Sequence, residues 1–237
     1  MLEEFRQLVG NDPIEAEVKR REQQAARETH KANVVDRQAQ QRQLEELNAS
    51  FLKLSSLKDV TPQSRGYKLE VLFFDLLRLC EFECSLPYRH SGEQIDGQFR
   101  YEKFDYLVEA KWTKGPSKQE DLSVFDGKIR GKAQSTRGFF ISASGFDENA
   151  IAKFSGDAPR IILMTGEDLA LVLSGMITFP DAMRAKVDAI VRHGRILLEL
   201  RERHGTTVAS LRFLLYPWER MCDEDTIRRR FELLAPS

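Results

Sequence analysis

From Ile14 to about Leu57 the chain carries Glu, Gln, Arg, Lys and Ala with no Gly or Pro, which predicts a long helix or a helical pair. The stretch "NDPIEAE" is a start signal: Asn11 or Asp12 can cap, Pro13 sits in the first turn, and Glu15 and Glu17 suit the positive helix end. Val18, Ala25, Ala32 and Ala39 keep a heptad spacing, but the matching second seam carries Arg21, Glu28 and Arg42, so the stripe is too thin for a coiled coil. Only Leu44, Leu47, Phe51 and Leu54 make a firm apolar seam, and this end is expected to dock on the core. For the rest, an arm, a solvated helix and a self-association element stand level. "KDVTPQSRG" marks a boundary before a second helix, "YKLEVLFFDLLRLCEF", which is apolar on most faces. Its Asp75, Arg78 and Glu81 share an outward face. Glu70 falls instead on the side of Phe73, Phe74 and Leu77, where a carboxylate needs a partner.

Strands are expected around Ser85 to His90, Gln94 to Arg100 and Phe104 to Trp112, followed by a polar segment to Arg137. "GFFISAS" and "RIILMT" have the continuous apolar character of strands buried on both faces, with a short helix near "DENAIAKF" between them. "TGED" opens another helix with Thr165 as cap, and Pro180 to Arg203 reads as a further one. The fold class is therefore α/β. In the third strand Phe104, Tyr106, Val108, Ala110 and Trp112 point to one face, taken as core, and Asp105, Leu107, Glu109 and Lys111 to the other. In the second, Ile95, Gly97, Phe99 and Tyr101 form the apolar face and Gln94, Asp96 and Gln98 the polar one. A turn centred between Glu102 and Lys103 sets Asp96 opposite Glu109, with Cβ atoms roughly 5 Å apart.

Composition narrows what such a pair can do. The 237 residues, 41% hydrophobic and 31% charged, suffice for one sizeable core plus an appendage. The longest apolar stretch, "IILMTGEDLALVLSGMITF", is interrupted by Glu167 and Asp168, so no membrane partner is expected. The acidic opening "MLEEF" lacks the charge pattern of a secretory signal, and a cytoplasmic location is expected. Cys80, Cys84 and Cys222 form no disulfide or zinc framework and read as buried, reduced thiols, and the four histidines show no helical pairing. Phosphate-binding glycine loops and the serine-hydrolase elbow are missing.

Two facing carboxylates repel each other unless something neutralises them, and a hard divalent cation does so. Mg²⁺ is the expected ion, with Mn²⁺ as a substitute. Lys111, two residues past Glu109 on the same face, brings an ammonium to the same place, and Glu70 can reach it from the helix. This set suits phosphodiester hydrolysis.

These residues resemble the D…E-x-K pattern of the PD-(D/E)xK nuclease superfamily, in Asp96 followed by Glu109-Ala110-Lys111. "RGYKLE", "GEQIDGQF", "LVEAKW", "FDGKIRGK" and "TRGFFISASGF" extend the likeness to the Mrr-like restriction endonuclease family, over approximately Arg65 to Leu173. The leading proline of the motif is replaced by Ile95, which is not a ligand position. The resemblance implies a restriction-endonuclease-like core, a mixed central sheet flanked by helices. It also implies that Asp96, Glu109 and Ala110 hold the metal, that Lys111 is the catalytic lysine, and that Glu70 is an accessory acid. DNA, as duplex, is the implied partner.

Three domains are expected: a helical arm over 1–60, for which oligomerisation is one of the two readings, a nuclease core over 61–178, and a C-terminal helical extension over 179–237. From Lys111 to Arg137 seven Lys or Arg stand against three acids, in a chain of formal net charge -1. Lys114, Lys128, Arg130, Lys132 and Arg137 are the candidate DNA contacts. The expected function is a Mg²⁺-dependent DNA endonuclease of restriction or anti-phage defence. A catalytically silent DNA-binding or assembly module and a structure-selective repair nuclease stay open as alternatives.

Overall fold

The computed structural model describes residues 13–56, 61–85, 88–90, 93–95, 97–156 and 158–204. The chain divides into two compact units, Met1–Gln43 and Leu44–Ser237. A single helix, α1 (Pro13–Ser56), runs through the boundary, so the arm is one helix and not a pair. The expected caps Asn11 and Asp12 lie outside the described residues. Residues 18–43 of α1 are exposed throughout, including the alanines of the heptad spacing. Arg20 and Arg21 pair with Glu17 along this stretch at 3.1 Å each.

In the second unit the end of α1 is apolar. Phe51 and Leu54 are buried, and Leu44 and Leu47 pack at the edge of the same cluster, as the seam predicts. Helix α2 (Pro62–Leu79) starts with Thr61 as cap, whose hydroxyl accepts from the Ser64 N–H at 3.3 Å, and with Pro62 in the first turn. Asp75 and Arg78 pair on its outer side at 2.7 Å. The opposite side buries Leu69, Phe73, Phe74, Leu76 and Leu77.

The strands follow as β1 (Cys84–Ser85), β2 (Tyr88–His90), β3 (Glu93–Ile95), β4 (Gln98–Tyr101) and β5 (Phe104–Lys111). Helix α3 (Gln119–Arg130), β6 (Arg137–Ser142), α4 (Glu148–Phe154) and β7 (Ile161–Thr165) come next, then α5 (Gly166–Leu173), α6 (Phe179–His193) and α7 (Arg201–His204). Five strands form a mixed sheet in the order β1-β4-β5-β6-β7, antiparallel through β5 and parallel from β5 to β7.

The β4–β5 hairpin turns where the alternation predicts, with Tyr101 opposite Phe104 and Arg100 opposite Asp105. The expected single strand from Gln94 to Arg100 is corrected. It breaks at Gly97, and β3 pairs with β2 in a separate two-stranded sheet. Gly97 holds φ +127°, a region that side chains rarely enter. A Cβ there would also stand 2.3 Å from the Phe74 ring and 2.7 Å from the Ser85 carbonyl oxygen. Its own carbonyl still accepts from the Val108 N–H at 2.9 Å, so the register with β5 holds as far as Gly97.

The sheet has a core on each side. On one, Tyr106, Val108 and Ala110 of β5 join α2, α5, α6 and the end of α1, around a group of stacked and edge-on rings including Phe73, Phe99, Phe139 and Phe179. On the other, Leu107, Phe140, Ile161 and Leu163 meet Leu122, Phe125 and Ile129 of α3. The face of β5 opposite the expected core is thus also covered, by α3 at Leu107. Strands β6 and β7 are buried on both faces, as their apolar runs predict.

Helix α5 opens with a full capping box: Thr165 Oγ1 accepts from the Asp168 N–H at 3.0 Å, and Asp168 accepts in return from the Thr165 N–H at 3.3 Å. Asp168 also receives the Lys186 ammonium at 2.7 Å, in a pair with both side chains 1% exposed. Lys186 donates further to the carbonyls of Leu163 and Leu198, so this buried charge is fully hydrogen-bonded and ties α6 to β7 and the segment after it. The helix expected from Pro180 to Arg203 is shorter. Gly194 ends it in the left-handed conformation at φ 62°, and Leu197 then bridges to Leu163. Residues 205–237 lie outside the described residues. No described helix is long and apolar enough to cross a membrane.

Candidate active site

Glu109, Ala110 and Lys111 end β5, the strand where the sheet changes from antiparallel to parallel. Ligand sites of α/β sheets gather at the carboxyl ends of such strands. The alternation along β5 sends Ala110 into the main core and leaves Glu109 and Lys111 on the opposite face, beyond Leu107. Helix α3 lies over this face, with its first turn at Lys111 and its last turn at Glu109.

This contact forms two ion pairs. Lys128, in the last turn of α3, donates from Nζ to Glu109 Oε2 at 2.8 Å, and each side chain is 17% exposed. Lys111 Nζ donates to Asp121 Oδ1, in the first turn. The other oxygen of Asp121 accepts from the Lys118 backbone N–H at 2.8 Å. Asp121 thereby caps α3 and fixes the catalytic-candidate lysine with one carboxylate. Burial alone would raise the Asp121 carboxyl, but the hydrogen bonds from Lys111 and Lys118 and their positive charges outweigh it and hold it below the ordinary aspartate value.

The height of α3 above the sheet is set by Gly138 in β6. A Cβ there would lie 2.4 Å from Ile129 Cδ1 and 2.6 Å from Phe125 Cε1, so the missing side chain lets the helix seat closely enough for Lys128 to reach Glu109. The loops after β5 and β6 are tied together beside this site. Ser117 Oγ donates to Ser142 Oγ at 2.8 Å, Ser142 Oγ to the Gly145 carbonyl at 2.6 Å, and Ser144 Oγ to the Thr113 carbonyl.

On the other face of the sheet α2 runs beside the end of β5, where a Cβ on Gly66 would stand 3.7 Å from the Ala110 carbonyl oxygen. Glu70 is buried one turn farther along, on the apolar side, as its spacing predicts. Asp96 lies outside the described residues. Among the described residues no group of three or more His, Cys, Asp or Glu side chains forms a metal cage. Cys80 and Cys84 are free and only half-buried, which corrects the expectation of buried thiols. Partial burial pushes the Cys80 thiol up to about 11, the wrong direction for a nucleophile.

The five candidate DNA contacts separate. Lys114 is exposed in the loop after β5, and Lys132 is half-exposed just past α3. Arg130 is exposed and pairs with Asp126 at 2.6 Å. Arg137 stands at the far end of the parallel strands from Lys111, opposite Tyr106, with its guanidinium 4.6 Å from the centroid of the Phe104 ring. Lys128 alone turns inward, onto Glu109.

Asp121 as a partner of Lys111 was not read from the sequence. Its signal, an acid three residues after a helix cap, is weak because the cap position holds Lys118.

Residues 61–173 match the Mrr catalytic-domain family, described as restriction endonuclease. No curated protein matches the chain. Among solved structures it is similar to the DNA modification-dependent restriction endonuclease AspBHI, with 20% identity and a TM-score of 0.39 over 62% of this chain and 40% of that one. It is also similar to AF1548, a protein of unknown function, with 16% identity and a TM-score of 0.40 over 71% of this chain and 97% of that one. A third is MspJI restriction endonuclease in complex with a 27-mer oligonucleotide, with 17% identity and a TM-score of 0.34 over 60% of this chain and 35% of that one. The chain thus spans less than half the length of the two named restriction enzymes. The match to the Mrr catalytic-domain family, described as restriction endonuclease, thus covers residues 61–173, just under half of the chain.

Proposed function

We propose that the protein is a Mg²⁺-dependent DNA endonuclease that hydrolyses phosphodiester bonds, in restriction or antiviral defence. The observation that carries this reading is the placement of Glu109 and Lys111 on one face at the end of a central strand, each fixed by a partner from α3. The donors fit a hard cation: the Glu109 carboxylate and the Ala110 carbonyl offer oxygen. Asp96 supplies the second carboxylate in this reading, and Glu70 the accessory acid. Mg²⁺ bound there supplies Lewis acidity toward the phosphate oxygens and the attacking water.

The chain's own residues do the rest. Glu109 anchors the positive charge that the scissile phosphate requires. Lys111 presents its ammonium toward the developing negative charge, and Asp121 holds that ammonium in place before substrate arrives. Lys114, exposed before α3, and Lys132, half-exposed just past it, meet backbone phosphates, as does Arg130.

The test is digestion of supercoiled plasmid, linear duplex, single-stranded DNA and RNA with Mg²⁺, with Mn²⁺ and with EDTA, using modified and unmodified duplex side by side. Cutting of duplex DNA that EDTA abolishes supports the reading. Binding of duplex with no cutting under any metal contradicts it and favours a silent DNA-binding module.

A further inference from the structure

The site holds two lysines with separate partners. Lys111 is committed to Asp121, which is itself anchored to the Lys118 N–H. It therefore does not neutralise Glu109, although it stands two residues away on the same strand face. That task falls to Lys128. Its Nζ is 2.8 Å from Oε2, and neither side chain is more than 17% exposed.

The contact is built into the fold. Phe125 and Ile129, on either side of Lys128 along α3, are buried against β6 at Gly138, which fixes both the height and the rotation of the helix. Glu109 in turn is flanked on its own face by Leu107 and lies opposite Phe140 in β6. A carboxylate in such surroundings needs a counter-charge at all times.

We propose that Lys128 is a resident counter-ion of the active site: it neutralises Glu109 when no divalent cation is bound, competes with the cation for that carboxylate, and so sets the concentration at which the site fills. This rests on the reading of Glu109 as a cation ligand. The ammonium and the cation draw on the same carboxylate, and a divalent ion that takes it must move the ammonium aside. The freed Lys128 then faces the substrate side of the site with an unmatched positive charge, where a phosphate can receive it. Lys128 is a positioning residue in this account, acting through Glu109.

The experiment titrates Mn²⁺ into the metal-free full chain without DNA and follows free Mn²⁺ by electron paramagnetic resonance. Lys128→Met should bind Mn²⁺ about tenfold more tightly than wild type, the shift expected for losing a part-buried competing ion pair. Lys128→Gln, which removes the charge but keeps a donor, should shift in the same direction, and Lys128→Arg should stay near wild type. The melting temperature gained on adding Mn²⁺ should be larger in Lys128→Met than in wild type, because the metal-free variant has lost the partner of Glu109. Equal or weaker binding by both folded uncharged variants overturns the proposal. Glu109→Gln separates it from the reading beneath it: if that variant binds Mn²⁺ as wild type does, Glu109 is not a ligand and both fall. If only the Lys128 variants behave unexpectedly, the ligand assignment stands and the counter-ion role alone is lost.

Discussion

At the scale of single residues, the site depends on carboxylates whose charge is matched before any substrate arrives. Asp121 shows this most clearly, since one oxygen serves the helix cap and the other serves Lys111. Its folded-state value lies below the ordinary aspartate range, against the opposing effect of burial. A depressed carboxyl contributes stability that is present above its unfolded value, about 3.9, and that is lost as pH falls through the lower folded value. Urea unfolding of wild type and Asp121→Asn should therefore differ at pH 6, and the gap should shrink as pH falls below the ordinary aspartate value and through the lower folded one. A gap that widened on acidification would reverse the sign and remove the pair with Lys111 as its cause. Asp121→Asn should also slow cleavage by about tenfold with little change in DNA affinity, because it loosens the ammonium without deleting it. Single-turnover rates and binding isotherms separate these two effects.

At the scale of elements, the decisive contact is between α3 and the sheet. Gly138→Ala should push α3 outward through Phe125 and Ile129, at a cost of roughly 1–3 kcal/mol measured by chemical denaturation. The same variant should cut more slowly, because Asp121 and Lys128 retreat together from β5. A stability equal to wild type would show that the helix seats without that close approach. Much of this level was legible in the sequence. The period of two along β5 placed Ala110 inward and Glu109 and Lys111 together, the turn at Glu102 and Lys103 fell where alternation put it, and the Thr165 cap formed as read. The break at Gly97 was not legible, because a left-handed φ leaves no mark on hydrophobic alternation. Nor was the cover that α3 gives to Leu107. Leu122, Phe125 and Ile129 do follow helical spacing, but they are diluted in a segment dominated by charge, which reads as a solvated face. Of Lys128 the sequence shows the charge that makes it a candidate DNA contact, but not its partner Glu109.

At the scale of the whole molecule, the arm and the core unit are separate questions. Residues 18–43 are exposed along one continuous helix, and the firm seam begins only at Leu44. Deleting residues 1–37 should leave the unfolding midpoint of the core unchanged and lower the mass seen by light scattering, if the arm serves self-association. An unchanged mass would return the arm to a solvated helix. The central claim, that the end of β5 is the active site of a DNA-cleaving enzyme, rests most heavily on Lys111. Its side chain is about one-third exposed and leaves no core cavity when truncated, so Lys111→Ala should fold and bind duplex DNA as wild type does. The most direct measurement is the single-turnover cleavage rate of a duplex by Lys111→Ala and wild type at saturating Mg²⁺. The account predicts a loss of about 10² to 10³ in rate with binding retained. Equal rates would contradict it and move the active site away from β5.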